Sequence, residues 1–451
     1  MLQYRERNDT ALTNERKIFG TDGVRDIANT GRMTPEMALS LGRAYIRTTG
    51  ARTVVTGRDT RRSGRMLESA LNAGMSSEGA EVYSAGIIPT PGVSYAVKSL
   101  GADGGAVISA SHNPPEYNGI KFLGSDGCKL SDAIELSIEK ALSLNERSAS
   151  PLIGSIHDVP GQMRDYALHI ASLLKRSAII DGVAFDCANG ASSLSVPVFV
   201  DGTPFSRLNT HILSREVSGD NINRECGVMH MTCLTEYVVR HGLKLGFAFD
   251  GDADRVLISD RFGRIIDGDI ILWVLGRWLR RAGNAKVVVT VMGNMALEAH
   301  FSDEGIETVR CPVGDRYVLE AMRETGAGLG GEQSGHIIAS DYTSTGDGLC
   351  TAVLFLNAVK ELGIDVSFLV DDFGRYPQKL TNLRLRRSRE EVDMSSVEAI
   401  ASEYQSRLSR GRVYIRLSGT EPLLRILVEA SEAETVEGMS AEISSRLAEY
   451  C

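Results

Sequence analysis

Apolar, β-branched runs alternate with amphipathic segments along most of the chain, and this alternation predicts α/β layers with mainly parallel sheets. Three of the runs, residues 53–56, 183–185 and 287–290, lead into loops that contain Gly, Asp or Asn. Because each repeats the order of strand and polar loop, we expect three related α/β domains. Around the first run, Thr34 and Pro35 predict the start of a helix and Gly50 its end.

Length and a change of pattern towards the C-terminus complete the predicted domain organisation. A chain of 451 residues is too long for one ordinary hydrophobic core, and a polar stretch at residues 145–160 indicates a linker. From about residue 378 the pattern is strand, helix, two strands and helix, which is typical of a small α+β domain. The predicted segments are a flexible N-terminal extension (1–17), three α/β domains (18–150, 151–263 and 264–373) and a C-terminal α+β domain (374–451).

Composition narrows the class of partner. A net charge of −9 argues against a nucleic-acid partner, because there is no surplus of basic residues to neutralise phosphates. No apolar run is long enough to span a membrane, and the first 17 residues lack the apolar core of a signal peptide. The seven cysteines contain no C-x-x-C pair, which favours reduced thiols. We therefore expect a cytoplasmic protein with no membrane partner.

The most informative loop follows the apolar run that ends at Ile108. It has the sequence Ser-Ala-Ser-His-Asn-Pro, and Lys121 follows Ser111 ten residues later. A strand that enters a tight loop with a hydroxyl at its tip is how an α/β protein presents a nucleophile. The Asn-Pro and Pro-Pro pairs end any helix and help to hold Ser111 in place. A polar surface turn is the alternative that this loop alone leaves open.

Three alternating carboxylates follow a second apolar run. Asp250, Asp252 and Asp254 come directly after residues 245–249, and Gly251 permits the turn that would bring them together. Hard oxygen ligands of this kind suit Mg²⁺. A calcium-binding EF-hand loop is excluded, because Arg255 stands where that loop needs Gly. A solvated acidic turn remains the alternative.

A third loop, residues 331–336, contains Glu332, Ser334 and His336. The first two could accept from and donate to sugar hydroxyls, and His336 could titrate near neutral pH. The overlapping residues 326–331 have the G-x-G-x-x-G spacing of a dinucleotide site. They follow a helix-like segment and precede a strand, which is the reverse of the required order, so we reject nucleotide binding here.

The fourth loop combines two arginines with two hydroxyls and a glycine. Arg416, Ser418, Gly419, Thr420 and Arg425 have the composition of a phosphate-binding loop. A plain β-turn between two strands is the alternative, and both descriptions can hold together. No Walker-type phosphate loop occurs in the sequence, which argues against an ATP-dependent kinase.

Taken together, these four loops resemble the α-D-phosphohexomutase family, in which each of four domains around a central cleft carries one functional loop. The resemblance covers almost the whole chain from Phe19 onward, with the signatures in the family's order. Two stretches, at 102–106 and 114–118, also resemble phosphomannomutase/phosphoglucomutase members. The passages that favour the branch acting on glucosamine phosphate lie at 107–122, 221–223, 313–318, 330–336 and 345–348.

The resemblance implies an isomerase of the intramolecular phosphotransferase class. Ser111 would act as a phosphoserine that converts glucosamine 6-phosphate to the 1-phosphate through a 1,6-bisphosphate. Mannose or glucose phosphate is the alternative substrate, and a phosphatase or a non-catalytic sugar-phosphate sensor is the alternative class. One Mg²⁺ per chain, a sugar 1,6-bisphosphate activator and a homodimer are also implied.

The same resemblance assigns roles to individual residues. Lys121 would transfer protons if neighbouring cations lower its pKa, and Gln333 favours glucosamine as the sugar. The implied site residues are Ser111, Lys121, His112, Arg25 and His336 for catalysis; Asp250, Asp252, Asp254 and Ser111 for the metal; Arg255, Glu332, Ser334 and His336 for the sugar; and Arg416, Ser418, Gly419, Thr420 and Arg425 for the phosphate that does not react.

One position departs from the family's pattern. Asp26 follows Arg25 where members usually have Gly. If that position needed a positive φ, an Asp would cost on the order of 1 kcal/mol or more. Its carboxylate could also draw Arg25 away from the phosphoryl group.

Overall fold

The structure, a computed structural model, describes residues 18–20, 22–143, 152–385, 392–417 and 423–448. The predicted N-terminal extension therefore lies outside the described residues. The chain divides into two compact units. The first comprises the residues up to Met292 together with Glu304–Val370, and the second comprises Gly293–Asp303 together with the residues from Asp371 onward.

The first sheet of the first unit has a parallel centre and two antiparallel strands at one side. Its strands are β1 (Val24–Ile27), β2 (Thr53–Arg58), β3 (Glu81–Ile87), β4 (Gly104–Ile108), β5 (Tyr117–Gly124) and β6 (Ile156–Asp158). The order across the sheet is β1-β5-β4-β2-β3-β6. Strand β6, from the predicted linker, pairs in parallel with β3. Its helices are α1 (Pro35–Thr49), α2 (Gly64–Ser76), α3 (Thr90–Leu100) and α4 (Asp132–Ser143).

The predicted signals for the first helix are confirmed. The side chain of Thr34 caps the start of α1 by accepting a hydrogen bond from the Met37 amide, and Pro35 is its first residue. Gly50 ends the helix with a left-handed φ of 68°, a conformation that glycine adopts without steric cost.

The second sheet carries the acidic loop on a hairpin. Its strands are β7 (Val183–Asp186), β8 (Thr210–Leu213), β9 (Leu245–Phe249), β10 (Val256–Asp260) and β11 (Ile265–Ile266), in the order β11-β10-β9-β7-β8. Strands β8, β7 and β9 are parallel, whereas β9 and β10 are antiparallel. The associated helices are α5 (Gly161–Leu173), α6 (Ser192–Asp201) and α7 (Thr232–Arg240), with short 3₁₀ helices at Arg176–Ala178 and Pro204–Arg207.

The third sheet has the order β13-β12-β14-β15. Its strands are β12 (Lys286–Thr290), β13 (Glu307–Cys311), β14 (Leu329–Gly331) and β15 (Ile337–Ala339). The helices of this part of the chain are α8 (Gly268–Arg280), α9 (Met295–Asp303), α10 (Asp315–Thr325), α11 (Gly348–Leu362) and α12 (Leu369–Phe373), with a 3₁₀ turn at Val366–Phe368. Helix α9 belongs to the second compact unit, although its sequence position lies inside the predicted third domain.

The second unit is an antiparallel α+β layer. Its further elements are β16 (Gln378–Arg384), α13 (Met394–Ser406), β17 (Gly411–Leu417), β18 (Leu423–Ala430) and α14 (Ala433–Leu447). The strand order is β16-β18-β17, and one apolar cluster from the strands and α13 and α14 forms the core. Helix α9 is joined to β18 by the Met295 amide, which donates to Glu429 at 2.8 Å.

The predicted fold class is confirmed. Three mixed sheets with parallel centres are covered by helices, and a separate antiparallel sheet follows them in the chain. None of the described helices combines the length and the apolar character that crossing a bilayer requires.

Candidate active site

Ser111 lies in the loop that follows β4, and its conformation is unusual. The residue is buried, with 1% of its surface exposed, and its φ is +49°, a left-handed value that is costly for a residue other than glycine. Its amide donates to the Ser109 hydroxyl at 2.9 Å. Its own hydroxyl donates to Oδ2 of Asp250 at 2.6 Å and lies 3.2 Å from Nδ1 of His112. The polar surface turn that the sequence left open is therefore excluded.

A buried arginine that the sequence analysis missed supports this loop. Arg61 donates to the carbonyl oxygens of Ser111 at 2.9 Å and Asn113 at 2.8 Å, and it also contacts those of Pro114 and Tyr117. Because β2 and β4 are adjacent parallel strands, the loops after them meet at one edge of the sheet. That adjacency is the signal that could have identified Arg61 from the sequence.

The three predicted metal ligands converge. Oxygen atoms of Asp250, Asp252 and Asp254 lie within 4.8 Å of one another, and all three side chains are buried. Oδ1 of Asp252 accepts no hydrogen bond from any residue that the structure describes. A buried carboxylate oxygen without a partner, next to two more carboxylates, fits a hard divalent cation such as Mg²⁺. A solvated acidic turn is excluded by this burial.

The charges of the three carboxylates act on one another. Burial and the charges of Asp254 and Asp252 raise the pKa of Asp250 well above its ordinary value. Burial and Asp254 also act to raise the pKa of Asp252, but the charge of Lys121 and hydrogen bonds from Thr90 and Lys121 outweigh them and leave it lowered. The three carboxylates therefore repel one another, and a nearby positive charge stabilises the cluster.

Lys121 lies on β5 and is 1% exposed. Its Nζ is 2.9 Å from Asp252, 3.0 Å from Asp22 and 3.6 Å from Asp254. Burial alone would lower the pKa of Lys121, but the charges of Asp252 and Asp254 more than offset this and raise it. The condition that neighbouring cations lower the pKa of Lys121 is therefore not met, because the charges of the carboxylates outweigh that of Arg25.

Arg25 and His112 flank the serine. Nη1 of Arg25 lies 3.1 Å from Oδ1 of Asn113, and Nη2 pairs with Asp22. Burial and the nearby charges of Arg255 and Arg25 lower the pKa of His112 to about 4. His112 is therefore neutral at pH 7.

The concern about Asp26 is not borne out by the geometry. Asp26 lies in β1 opposite Asn118, and its φ is not positive. Its carboxylate accepts hydrogen bonds from the amides of Ile27 and Arg32 at 2.8 and 2.9 Å. It therefore stabilises the turn after β1 and does not pair with Arg25.

The predicted sugar-binding loop lies between β14 and β15. Glu332 accepts from the Gly314 amide at 3.1 Å and from the Ser334 hydroxyl at 3.3 Å. Gln333 instead donates to Asp269 at 3.0 Å. Its side-chain NH2 group is therefore held against helix α8, and the role of Gln333 in selecting the sugar stays a prediction.

His336 joins this loop to the acidic loop. Nδ1 of His336 lies 3.7 Å from Asp254, and Nε2 lies 3.9 Å from Asp315. Burial would lower the pKa of His336, but the charge and hydrogen bond of Asp254 outweigh it and raise the pKa. Backbone pairing between Arg255 and His336 holds the two loops together, and the Arg255 side chain lies 3.9 Å from Asp254.

Three further charged residues were not predicted. Asp22 pairs with Lys121 and with Lys129, and Lys129 also pairs with Asp315 at the start of α10. The resulting chain of alternating charges links the first sheet to the third through His336. Asp315 occurs in the passage 313–318, whereas Asp22 and Lys129 lie in none of the passages that carry the resemblance, and only the fold brings the three together.

The fourth loop belongs to the second compact unit. Arg416 and Arg425 lie directly opposite each other on β17 and β18. Burial and the charge of Arg425 lower the pKa of Arg416, which shows that the two guanidinium groups repel each other. The other predicted members of this loop, Ser418, Gly419 and Thr420, lie outside the described residues.

Comparisons with known proteins agree with this geometry. Residues 16–148, 267–376 and 380–445 match the phosphoglucomutase/phosphomannomutase α/β/α domains I and III and C-terminal domain. The chain belongs to this family, and the resemblance to phosphohexomutases is confirmed.

Individual relatives agree along almost the full length. Phosphoglucosamine mutase of Brevibacillus brevis is 44% identical over 442 residues, covering 94% of this chain and 97% of that protein. Phosphoglucosamine mutase of Clostridium botulinum is 42% identical over 445 residues, covering 95% and 98%. The structure of a phosphoglucomutase/phosphomannomutase family protein from Burkholderia thailandensis has a TM-score of 0.80 at 24% identity, over 96% of this chain and 97% of that one. This structural likeness supports the shared fold.

Proposed function

We propose that this protein is an isomerase that interconverts glucosamine 6-phosphate and glucosamine 1-phosphate. The observation that carries the proposal is the buried hydroxyl of Ser111, which donates to Asp250 at 2.6 Å within a cluster of three carboxylates. A nucleophile beside a metal site is the arrangement that phosphoryl transfer requires. The identity of 42–44% with phosphoglucosamine mutases over nearly the whole chain supports the choice of sugar.

In the proposed reaction, a phosphoserine at residue 111 donates its phosphoryl group to the free hydroxyl of the sugar monophosphate. The bond between phosphorus and the serine oxygen breaks while a bond to the sugar oxygen forms, and the hydroxyl's proton is passed on to the serine oxygen, which gives a 1,6-bisphosphate and a free Ser111 hydroxyl. After the bisphosphate turns round, the serine oxygen takes its other phosphoryl group; the bond between that phosphorus and the sugar oxygen breaks, and the sugar oxygen regains a proton. A sugar 1,6-bisphosphate is also the proposed activator, because it can phosphorylate an enzyme that has lost its phosphoryl group.

One Mg²⁺ ion per chain is the proposed cofactor. Asp250, Asp252 and Asp254 would hold it together with an oxygen on Ser111. When bound, a divalent cation neutralises charge on the transferring phosphoryl group. The protein's own contribution is to keep the serine oxygen and the three carboxylates in place in a buried setting.

Proton movement is assigned to Lys121, His112 and His336. Because the pKa values of Lys121 and His336 are raised, both side chains favour the protonated form. Each can therefore donate a proton to an oxygen that gains negative charge. His112 is neutral at pH 7 and lies 3.2 Å from the serine oxygen, where it and Arg25 can polarise the phosphoryl group.

The remaining predicted residues are assigned to substrate binding. The proposed sugar ligands are Arg255, Glu332, Ser334 and His336, and the proposed ligands of the phosphate that does not react are Arg416, Ser418, Gly419, Thr420 and Arg425. Support for the second group comes from the opposed pair Arg416 and Arg425, whose mutual repulsion a phosphate dianion would relieve. A cytoplasmic location remains a prediction from the composition, and a homodimer remains a prediction from the family resemblance.

A second candidate substrate is mannose or glucose phosphate. The observation that favours it is the resemblance of residues 102–106 and 114–118 to phosphomannomutase/phosphoglucomutase members. The mechanism would be unchanged, because Ser111, the carboxylates and Lys121 do not depend on the substituent at the sugar's second carbon.

The test compares kcat/KM for glucosamine, glucose and mannose 6-phosphates with Mg²⁺ and a sugar 1,6-bisphosphate, with Ser111→Ala as the control. We expect glucosamine phosphate to be preferred by about tenfold or more, which corresponds to about 1.4 kcal/mol in the transition state. Preference for mannose or glucose phosphate would overturn the substrate and keep the mechanism. Release of inorganic phosphate without isomerisation would show a phosphatase, and binding without turnover would show a sensor.

A further inference from the structure

Asn223 is a buried residue in the segment between β8 and α7. Its φ is +59°, and its exposed surface is 6%. Asparagine tolerates the left-handed region better than most residues other than glycine. The backbone N–H of Asn223 donates to the carbonyl oxygen of Ala188 at 2.9 Å, which holds the backbone at this residue in place.

The side chain of Asn223 contacts the serine loop of the first sheet. Nδ2 donates to the carbonyl oxygen of Ser111 at 2.8 Å and to that of Asn113 at 3.0 Å. Arg61 donates to the same two oxygens. Each carbonyl has two lone pairs, so it can accept both bonds. Two residues therefore hold the carbonyl of Ser111: Arg61, which follows β2, and Asn223, which lies between β8 and α7.

The two loops also approach each other at Gly251. A Cβ atom at this position would lie only 2.6 Å from the carbonyl oxygen of Ser111 and 3.1 Å from Nδ2 of Asn223. Only glycine allows the acidic loop to come so close. The geometry between Ser111 and Asp250 thus depends on contacts that involve the backbone of Ser111.

Ser111 needs such support because its own conformation is strained. A left-handed φ is unfavourable for serine and persists only where the surroundings of the residue enforce it. The peptide group before Ser111 is held by Ser109, and the one after it is held by Arg61 and Asn223. When both peptide groups are fixed, the direction of the Cα–Cβ bond of Ser111 is also fixed, and the hydroxyl's contacts with Asp250 and His112 then select its rotamer.

We propose that Asn223 is a positioning residue for phosphoryl transfer, which acts with Arg61 to hold the carbonyl of Ser111 and thereby aims the serine oxygen at the acidic cluster. This inference rests on the proposed phosphoserine function. Asn223 contacts none of the proposed reacting atoms. Its loss is therefore expected to raise the free-energy barrier of phosphoryl transfer and to leave the affinity for the sugar phosphate unchanged. A displacement of about 1 Å at a reacting centre can cost on the order of a hundredfold in rate.

Two variants separate the lost hydrogen bonds from backbone strain. Asn223→Gly accepts a φ of +59° without strain but has no donor. Asn223→Asp keeps the shape but places carboxylate oxygens against two carbonyl oxygens. The matched control is Asn357→Ala, because Asn357 is a buried amide that donates to the carbonyl of Leu173 at 2.9 Å and makes no contact with the serine loop.

The measurements are kcat and KM for glucosamine 6-phosphate, the rate at which glucose 1,6-bisphosphate phosphorylates Ser111 as followed by intact mass, and the melting temperature. We expect kcat and the phosphorylation rate to fall about tenfold to a hundredfold in Asn223→Gly and further in Asn223→Asp, with KM changed less than about threefold. Asn357→Ala should have a lower melting temperature than the wild type and an unchanged kcat.

Three results would overturn the inference: kcat within about twofold of wild type in both Asn223 variants, a rise in KM alone, or an equal loss of kcat in Asn357→Ala. If neither Asn223 variant folds, Arg61→Lys decides. It keeps the charge but cannot reproduce the forked contacts, so its kcat must fall with KM unchanged, and a wild-type kcat contradicts the proposal. Inactivity of the wild type itself would refute the proposed function instead.

Discussion

The hydroxyl oxygen of Ser111 lies 2.6 Å from Oδ2 of Asp250, although 139 positions separate the two residues in the chain. The serine follows β4 of the first sheet, and the aspartate follows β9 of the second. The proposed nucleophile and the proposed metal site therefore become a single site only when the two sheets are packed together.

Replacement of Ser111 tests whether this hydroxyl carries the chemistry. Ser111→Ala should abolish mutase turnover and phosphate incorporation from glucose 1,6-bisphosphate, because no other atom can take the serine oxygen's place. The matched control is Ser94→Ala, since Ser94 is a buried serine whose hydroxyl donates to the carbonyl of Gly127. Activity and intact mass are the readouts. Wild-type turnover in Ser111→Ala would remove this residue from the mechanism.

The three buried carboxylates predict a measurable response to Mg²⁺ in the protein without substrate. Binding to the folded state alone should raise the free energy of unfolding by about 2.7 kcal/mol at a hundredfold excess over Kd. Chelation should abolish turnover, and Mg²⁺ should restore it. Thermal denaturation with and without Mg²⁺ is the measurement.

A pair of variants locates that response. Asp252→Asn should lose most of the Mg²⁺-induced rise in melting temperature, because it removes one charge from the cluster. Asp260→Asn should retain the rise, because Asp260 is a buried carboxylate that pairs with Arg264 away from the cluster. An equal rise in both variants would place the cation elsewhere.

The parts of the site that lie just after the ends of strands could be predicted from the sequence alone. Asp250 follows an apolar run directly and Ser111 follows one after two residues, so local rules indicate both the loop and its chemistry. The fold class could be predicted for the same reason, since the order of apolar runs and amphipathic segments is a local property.

Contacts between distant segments could not be predicted in this way. Arg61 and Asn223 meet at the carbonyl of Ser111 from positions more than a hundred residues apart in the chain, and no local pattern shows that either of them contacts it. The direction in which the pKa of Lys121 shifts could not be predicted either, because the sequence shows which charges exist but not that Asp22 and Asp252 lie within about 3 Å of its Nζ.

Asp347 begins helix α11 and predicts a pH-dependent stability. Its Oδ1 accepts hydrogen bonds from the Tyr166 hydroxyl at 2.8 Å and from the Cys350 amide at 2.9 Å. Burial nevertheless raises its pKa from 3.8 to about 6. The folded state therefore favours the protonated carboxyl, and this contribution is fully present below a pH of about 4 and is lost as the pH rises through about 6.

The variant Asp347→Asn keeps the acceptor and removes the titration. Its free energy of unfolding, measured relative to wild type by chemical denaturation, should improve by about 1 kcal/mol between about pH 5 and pH 7.5. Asp260→Asn serves as the control for a buried aspartate paired with an arginine. A difference from wild type that does not vary with pH would mean that Asp347 is ionised in the folded protein throughout this range.

Arg425 tests the proposed phosphate grip of the second unit. Arg416 and Arg425 face each other across β17 and β18, so their positive charges repel each other. A phosphate bound to both would reduce this repulsion. Arg425→Ala should raise KM for both the 6-phosphate and the 1-phosphate by about tenfold to a hundredfold, the value of one charge-assisted hydrogen bond. Arg446→Ala, which removes an exposed arginine paired with Glu403, should leave both KM values unchanged. An effect on one isomer alone would contradict a clamp shared by both orientations of the sugar, because the phosphate that does not react changes its identity between the two directions.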